Sequence, residues 1–245
     1  MHPGVVAVTG ATGRVGGRAV SRLAAAGVPV VALARDPSQV AGGVACRLFD
    51  YDDPDSMRIA LAEVAALVFV SSDGEADVVL RQHLAVVTAA ADAGVRRVAY
   101  LSSIDADPGS PFCYGRTNGA TEQALLAAIE DVRVVRAGLF IDFVHALMGD
   151  GVVRLPDAGR FATVTRDEAA DALAEAVLDD GPAVRAAAAP GDRSFAEIAA
   201  ELDREFVAVT LDDYRTALIA SGEDPWWCYA YTSMMQSIAE GRCLP

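Results

Sequence analysis

The sequence predicts an α/β protein built on a doubly wound parallel sheet. Three observations carry that expectation. Short apolar, β-prone runs recur through residue 103, helical segments alternate with them, and the first run breaks into a glycine-rich loop.

Val5, Val6, Ala7 and Val8 form the uninterrupted β-prone run that a strand buried on both faces requires. TGATGRVGG follows from Thr9 to Gly17. Gly10 lets the chain turn sharply out of the strand, Gly13 lets the backbone approach a pyrophosphate, and Gly16 lets the next helix pack on the sheet. Val15, Ala19 and Leu23 then recur at four-residue spacing and mark that helix, whose unpaired N-terminal amides attract phosphate. The spacing is G-x-x-G-x-x-G rather than G-x-G-x-x-G, and a ligand-free β-to-α turn also shows it. The strand before the loop and the helix after it supply the context that a dinucleotide loop needs.

Gly27 closes the first helix, and Val28 to Asp36 reads as the second strand. The residue at its tip selects the cofactor, because an NAD ribose wants a carboxylate and an NADP 2′-phosphate wants a cation. Arg35 stands at the tip, with Asp36 next, so NADP(H) is the expected cofactor. Arg14 in the loop offers a second positive contact; the alternative for both arginines is a solvated surface charge. The third strand runs from about Val44 to Phe49. An acidic cluster follows, in which Asp53 or Asp55 caps a helix, and Asp50 and Tyr51 either belong to that cap or lie beside the adenine. Ala66 to Asp73 reads as the fourth strand, with Ser71 and Ser72 overhanging the cofactor. A helix from about Asp77 to Ala93 ends at Gly94, and Arg96 to Ser103 is the fifth strand.

A catalytic-looking constellation comes next. Ser102 and Ser103 end the fifth strand, and a loop with Pro108, Gly109 and Pro111 leads to a helix on which Tyr114 and Asn118 are four apart and share a face. A serine hydroxyl and a phenol over a nicotinamide polarise a carbonyl and deliver a proton. A lysine four residues after the tyrosine usually lowers the phenol pKa in such chemistry, but Asn118 holds that position. The alternative is that Tyr114 only forms a wall and Asn118 only touches a ribose or solvent. Val132 to Ala137 is the sixth strand. Beyond it, Phe140, Phe143, His145, Leu147 and Met148 are candidates for the cofactor mouth, with His145 either a catalytic acid or a structural residue. Thr165 and Glu168 form a capping-box pair, and Trp226, Trp227, Tyr229 and Tyr231 either cover the substrate or pack the tail.

Composition narrows the function. The chain has 245 residues, 53% of them hydrophobic, enough for one α/β domain with a small appendage. Its net charge of -14, from 34 acidic and 20 basic residues, argues against a nucleic-acid partner. All 20 basic residues are arginine, which excludes any mechanism using a lysine of this chain. No apolar run approaches the ~20 residues that cross a bilayer, and no signal-peptide pattern opens the chain, so a soluble cytoplasmic protein without a membrane partner is expected. The four cysteines and three histidines (His2, His83, His145) lack metal-ligand spacing, and no metal is expected. Richness in Ala, Arg, Gly and Val suggests a high-GC bacterial genome.

TGATGRVGG, LARDPSQV, FDYDDPDSM, LSSIDA, TNGATEQALL, VRVVRAGLF and TVTRDEAADALAEAVL together resemble the NmrA-like, atypical short-chain dehydrogenase/reductase family. The C-terminal run from Val207 to Arg242 is similar to its bacterial NAD(P)H-dependent quinone oxidoreductase-like members. The resemblance implies a Rossmann-type core over residues 1–138 and a smaller, interleaved α/β substrate-binding region over 139–245. It implies that Gly10, Thr12, Gly13, Arg14, Val15 and Gly16 cradle the phosphates, that Arg35 meets the 2′-phosphate, and that Asp50 and Tyr51 lie near the adenine. Ser71, Ser72 and Ser102 would line the nicotinamide side. Many relatives carry lysine or histidine ahead of the Thr121–Glu122 pair, where this chain has Asn118. The expected activity is NADPH-dependent reduction of a small hydrophobic quinone, enone or ketone, in secondary metabolism, by a monomer or homodimer. A redox-silent dinucleotide sensor and a non-redox cyclase or dehydratase are the alternatives.

Overall fold

The computed structural model describes residues 4–40 and 43–245, so His2 lies outside the described residues. Strand β1 (Val5–Val8) turns Val6 and Val8 to one face and Ala7 to the other, and all three are fully buried. Burial at both phases of a two-residue period means that the sheet is covered on both sides. The chain continues through α1 (Arg14–Ala25), β2 (Val30–Ala34), a 3₁₀ turn (Pro37–Gln39), β3 (Ala45–Leu48) and α2 (Pro54–Ala60). Next come β4 (Val64–Phe69), α3 (Ala76–Asp92), β5 (Arg97–Ser103), α4 (Cys113–Ala128) and β6 (Asp131–Ala137). The remainder comprises β7 (Leu139–Phe140), α5 (Ile141–Met148), β8 (Val153–Pro156), β9 (Arg160–Phe161), β10 (Thr163–Val164) and α6 (Arg166–Leu178). It ends with β11 (Val184–Ala187), β12 (Arg193–Ser194), α7 (Phe195–Glu201), β13 (Phe206–Val209), α8 (Leu211–Ala220) and α9 (Pro225–Ala239).

Among the described residues, seven parallel strands form the main sheet in the order β11-β6-β5-β4-β1-β2-β3. One face packs against α1 and α6 through residues such as Val15, Leu23 and Leu173, and the other against α2, α3 and α4 through Met57, Val86 and Leu125. The fold is therefore the Rossmann-type doubly wound sheet that the alternation predicts. Strand bounds differ from the sequence reading: β2 spans Val30–Ala34 rather than Val28 to Asp36, and β4 starts at Val64 rather than Ala66. The fourth strand ends at Phe69, not Asp73, because the Val70 N–H donates to Thr9 Oγ1 (2.9 Å), whose hydroxyl bonds back to the Val70 carbonyl (3.1 Å). Ser71 and Ser72 are thereby released from the ladder into the crevice. Strand β11, which the sequence reading did not name, returns from the C-terminal half to pair with β6.

The C-terminal half has its own core, in which Val144, Met148, Phe195, Ile198 and Met234 gather around Phe161. The Phe161 and Phe195 rings lie 4.6 Å apart, and both are buried. Its end is tied to the β5–α4 loop by the buried Asp105 carboxylate, which accepts from Ser110 Oγ (2.5 Å), Arg242 Nε (2.8 Å) and Ser237 Oγ. Cys113, Cys228 and Cys243 are buried free thiols, and burial pushes Cys243 up to about 11. Among the described residues no three potential ligands gather to hold a metal ion, and no helix is long and apolar enough to cross a membrane.

Candidate functional site

The crevice lies at the carboxyl ends of the strands, beside the point where the strand order reverses between β1 and β4. A cavity of about 400 Å³ there is lined by Gly10, Thr12, Gly13, Arg14, Val15, Gly16, Arg35, Asp50, Tyr51, Ser71 and Ser72. A second cavity, of about 320 Å³, is lined by Ser102, Ser103, Tyr114 and Asn118 with Phe112, Leu139, Phe143, Trp227, Tyr231 and Met234. The two share Ser71, Ser72, Asp73, Leu101, Phe140 and Arg166, so they are lobes of one cleft.

The first lobe fits a dinucleotide. Gly10 takes φ +61°, and a Cβ on Gly16 would lie 2.3 Å from the Gly10 carbonyl oxygen and 2.6 Å from that of Thr9. Only glycine at position 16 lets α1 start this close to β1. Gly13 caps α1 without a side-chain bond, and no acidic residue occupies the first turn. The helix thus presents unpartnered amides and the positive end of its dipole to the cavity. At the tip of β2 Arg35 is exposed beside Thr12 and Gln39. Asp36 lies beside it, where Ser38 donates to its carboxylate from Oγ (2.6 Å) and N (3.0 Å), bonds that hold its carboxyl below the usual range. The Tyr51 hydroxyl donates to the Val70 carbonyl (2.7 Å), and Asp50 accepts from the Asp52 amide (3.0 Å).

Arg14 is less available than its place in the loop suggests. Its guanidinium pairs with Asp142 on α5, and Arg166 Nε donates to the same carboxylate oxygen at 2.8 Å. Burial alone would raise the Asp142 carboxyl, but these arginines hold it below the usual range. The Arg166 guanidinium also stacks 4.4 Å over the Phe140 ring, at the junction of the lobes.

In the second lobe, Tyr231 stacks with Trp227 (5.8 Å, 27°) and with Phe143 (6.4 Å, 30°), forming a flat aromatic wall. Tyr114 and Asn118 share a face of α4 and reach the cleft together. The Tyr114 hydroxyl, however, donates to the Gly74 carbonyl (2.6 Å), and burial pushes its pKa up to about 12. Asn118 accepts from Tyr100 (2.6 Å) and donates to Ser103 (3.0 Å). Ser102 donates to the buried Glu122 (2.5 Å), which Arg136 grips with two bonds (3.0 and 2.6 Å). His145 is not brought to the site: it is exposed on α5 and borders neither lobe. Leu147 and Met148 pack into the C-terminal core. Of the terminal aromatic group, Trp227 and Tyr231 line the cleft, while Trp226 packs edge-on to Tyr114 and Tyr229 meets Arg116.

Sequence reasoning missed Thr9, His83, Tyr100 and Arg166. Arg166 had one signal, since a cation in the first turn of a helix opposes the dipole and calls for a special partner, here Asp142. The others read as ordinary strand and helix interior.

A glycine cradle at the switch point of a doubly wound sheet defines a dinucleotide-binding protein, here with an aromatic chamber continuous with the cradle. A family model described as NAD(P)H-binding matches residues 10–180. The chain belongs to this family and is of the NmrA-like oxidoreductase type. Quinone oxidoreductase 2 of Escherichia coli (strain K12) is 30% identical over 215 residues, 82% of this chain and 74% of that protein. NAD(P)H azoreductase of Xenophilus azovorans is 28% identical over 235 residues, 89% and 82% of the two chains. The crystal structure of Citrobacter sp. triphenylmethane reductase complexed with NADP(H) has a TM-score of 0.82 at 26% identity, covering 98% of this chain and 91% of that one.

Proposed function

We propose that the protein uses NADPH to reduce flat, conjugated hydrophobic acceptors, quinones foremost. The observation that carries this is the single two-lobed cleft, in which the phosphate cradle opens through Ser71, Leu101 and Phe140 into the Phe143–Tyr231–Trp227 wall. When bound, NADPH supplies a hydride; with one proton from water this converts a quinone to a hydroquinone and leaves NADP⁺.

The chain's own residues bind and orient. The α1 amides take the pyrophosphate, Arg35 takes the 2′-phosphate, and the aromatic wall holds the acceptor ring parallel to its own planes. Tyr114 shapes the chamber: a phenol near 12 with its proton on Gly74 is a weak acid at neutral pH. His145 takes no part. An acceptor activated by conjugation suits this site, because it accepts hydride with little help from a protonated side chain. Names of the relatives support the acceptor class: a quinone, an azo compound and a triphenylmethane dye are all extended π systems.

The test is NADPH oxidation across a panel of benzoquinones, naphthoquinones, an azo dye, an enone and unactivated ketones. Turnover of quinones well above ketones is expected, with Tyr114→Phe keeping most of it. A Tyr114→Phe variant inactive but folded, or a preference for simple ketones, contradicts the proposal.

A further inference from the structure

Behind Ser71 and Ser103, on the face of the sheet covered by α3 and α4, runs a chain of buried polar groups that the proposal above leaves unused. His83 on α3 and Tyr100 on β5 are both fully buried. His83 Nε2 lies 3.0 Å from Ser71 Oγ, and its Nδ1 lies 2.9 Å from Thr121 Oγ1 and 3.4 Å from the Tyr100 hydroxyl. Tyr100 is 2.6 Å from Asn118 Oδ1, and Asn118 Nδ2 is 3.0 Å from Ser103 Oγ. Two serines of the cleft are thus joined beneath its floor.

Two opposite proton arrangements satisfy such a chain, and the distances separate them. A 2.6 Å contact suits O–H···O and is short for an amide donor, whereas 3.0 Å suits N–H···O. Tyr100 therefore donates to Asn118 Oδ1, and the Asn118 amide donates to Ser103. The Thr121 hydroxyl gives its proton to the Thr117 carbonyl (2.8 Å), so its oxygen accepts from His83, and Nδ1 carries the ring proton. Nε2 is left with a lone pair. The Ser71 hydroxyl has two acceptors in reach, Nε2 at 3.0 Å and the Ser72 carbonyl at 2.9 Å, and it turns to the buried nitrogen, which has no other hydrogen-bond partner among the described residues; either way its proton is engaged and its lone pairs face the cleft. Burial lowers the His83 pKa to about 3, so the ring stays neutral.

We infer that His83 and Tyr100 are positioning residues that fix the hydrogen-bond polarity of the cleft, holding Ser71 as an acceptor toward the ligand and Ser103 as a donor. Ser103 Oγ donates to no group among the described residues, so its proton is free for the oxygen of a bound quinone. The Ser71 lone pairs face an amide or hydroxyl donor instead. No proton leaves Ser103. Its hydrogen bond stabilises the negative charge that hydride addition places on the quinone oxygen, and water supplies the proton that completes the hydroquinone. The identity of the acceptor rests on the proposed function; the polarity of the chain does not.

Two measurements test this. In protein labelled with ¹⁵N-histidine, the His83 signals, assigned by their loss in His83→Gln, are expected to show a neutral ring protonated at Nδ1. Protonation at Nε2, or an imidazolium, overturns the polarity. In the kinetic arm, Tyr100→Phe keeps the buried ring and removes the link to Asn118. The ratio of quinone turnover to turnover of a cationic triarylmethane dye, which takes hydride on carbon and develops no oxyanion, should fall about tenfold through kcat, with quinone KM changed less than twofold. A parallel fall for both acceptors, or none, overturns the inference. A wild-type enzyme inactive on both contradicts the reductase reading instead, and the ring tautomer then decides the polarity alone.

Discussion

Gly16 and Arg35 carry the proposed cofactor site at the scale of single residues. A methyl group on Gly16 meets two carbonyl oxygens of the β1–α1 turn, neither of which is the end of a flexible side chain. Gly16→Ala is therefore expected to lower unfolding stability by about 1–3 kcal/mol and to weaken NADPH binding, as read by chemical denaturation and by fluorescence titration. Arg35→Ala tests cofactor choice. A charge-assisted contact to phosphate contributes roughly 1.5–3 kcal/mol, so NADPH affinity should drop about 10- to 100-fold while NADH affinity stays near its original value. Equal loss for both cofactors would place Arg35 outside the 2′-phosphate site.

Elements meet the cleft through buried charge, and here the consequences are for stability. Glu122 of α4 is nearly buried and held by Arg136 of β6, which keeps 34% of its side chain exposed. Glu122→Gln should cost less than the roughly 3–5 kcal/mol of a fully buried broken pair, because water can still reach the released arginine. It should also loosen Ser102 at the cleft, which thermal unfolding with and without NADPH would register. At the opposite ends of the same strands, burial would raise the Asp131 carboxyl, but hydrogen bonds from Arg133 and Arg97 outweigh it and lower the pKa. A carboxyl whose folded pKa lies below its unfolded value contributes stability above the unfolded pKa and loses it as pH falls toward the folded one. Asp131→Asn should therefore flatten the fall in stability below about pH 4 relative to the wild type. An unchanged acid limb in urea titrations across pH would contradict this.

At the scale of the whole molecule, the layers were legible in the sequence because each rests on a local rule. Apolar runs marked the buried strands, four-residue spacing marked α1, and Asp53 and the Thr165–Glu168 pair capped α2 and α6 where expected. The phosphate lobe was legible for the same reason, being built from consecutive residues of one loop and the tips of its neighbouring strands. The second lobe was legible only in part: Ser102, Ser103, Tyr114, Asn118, Phe140 and Phe143 were candidates and do line it, but the meeting of α4 and α5 with α9 follows from no spacing rule. Its aromatic residues were visible as a composition, but only packing separates Tyr231 in the wall from Tyr229 outside it. His145 illustrates the converse: chemically suitable, it points to solvent on α5. The His83–Tyr100 chain was hidden because each member, alone, reads as core. With no lysine in the chain, Asn118 acts through the hydrogen bonds that hold it between Tyr100 and Ser103 and brings no charge to the cleft.

The proposed function stands on hydride transfer from NADPH to a conjugated acceptor in the shared cleft. Single-turnover oxidation of NADPH deuterated at either face of C4, with a naphthoquinone as acceptor, tests it most directly. Saturable oxidation is expected, slowed by deuterium on one face only, and at least tenfold more efficient with NADPH than with NADH. Tight NADPH binding with no oxidation by quinone, azo dye or triarylmethane dye would contradict it.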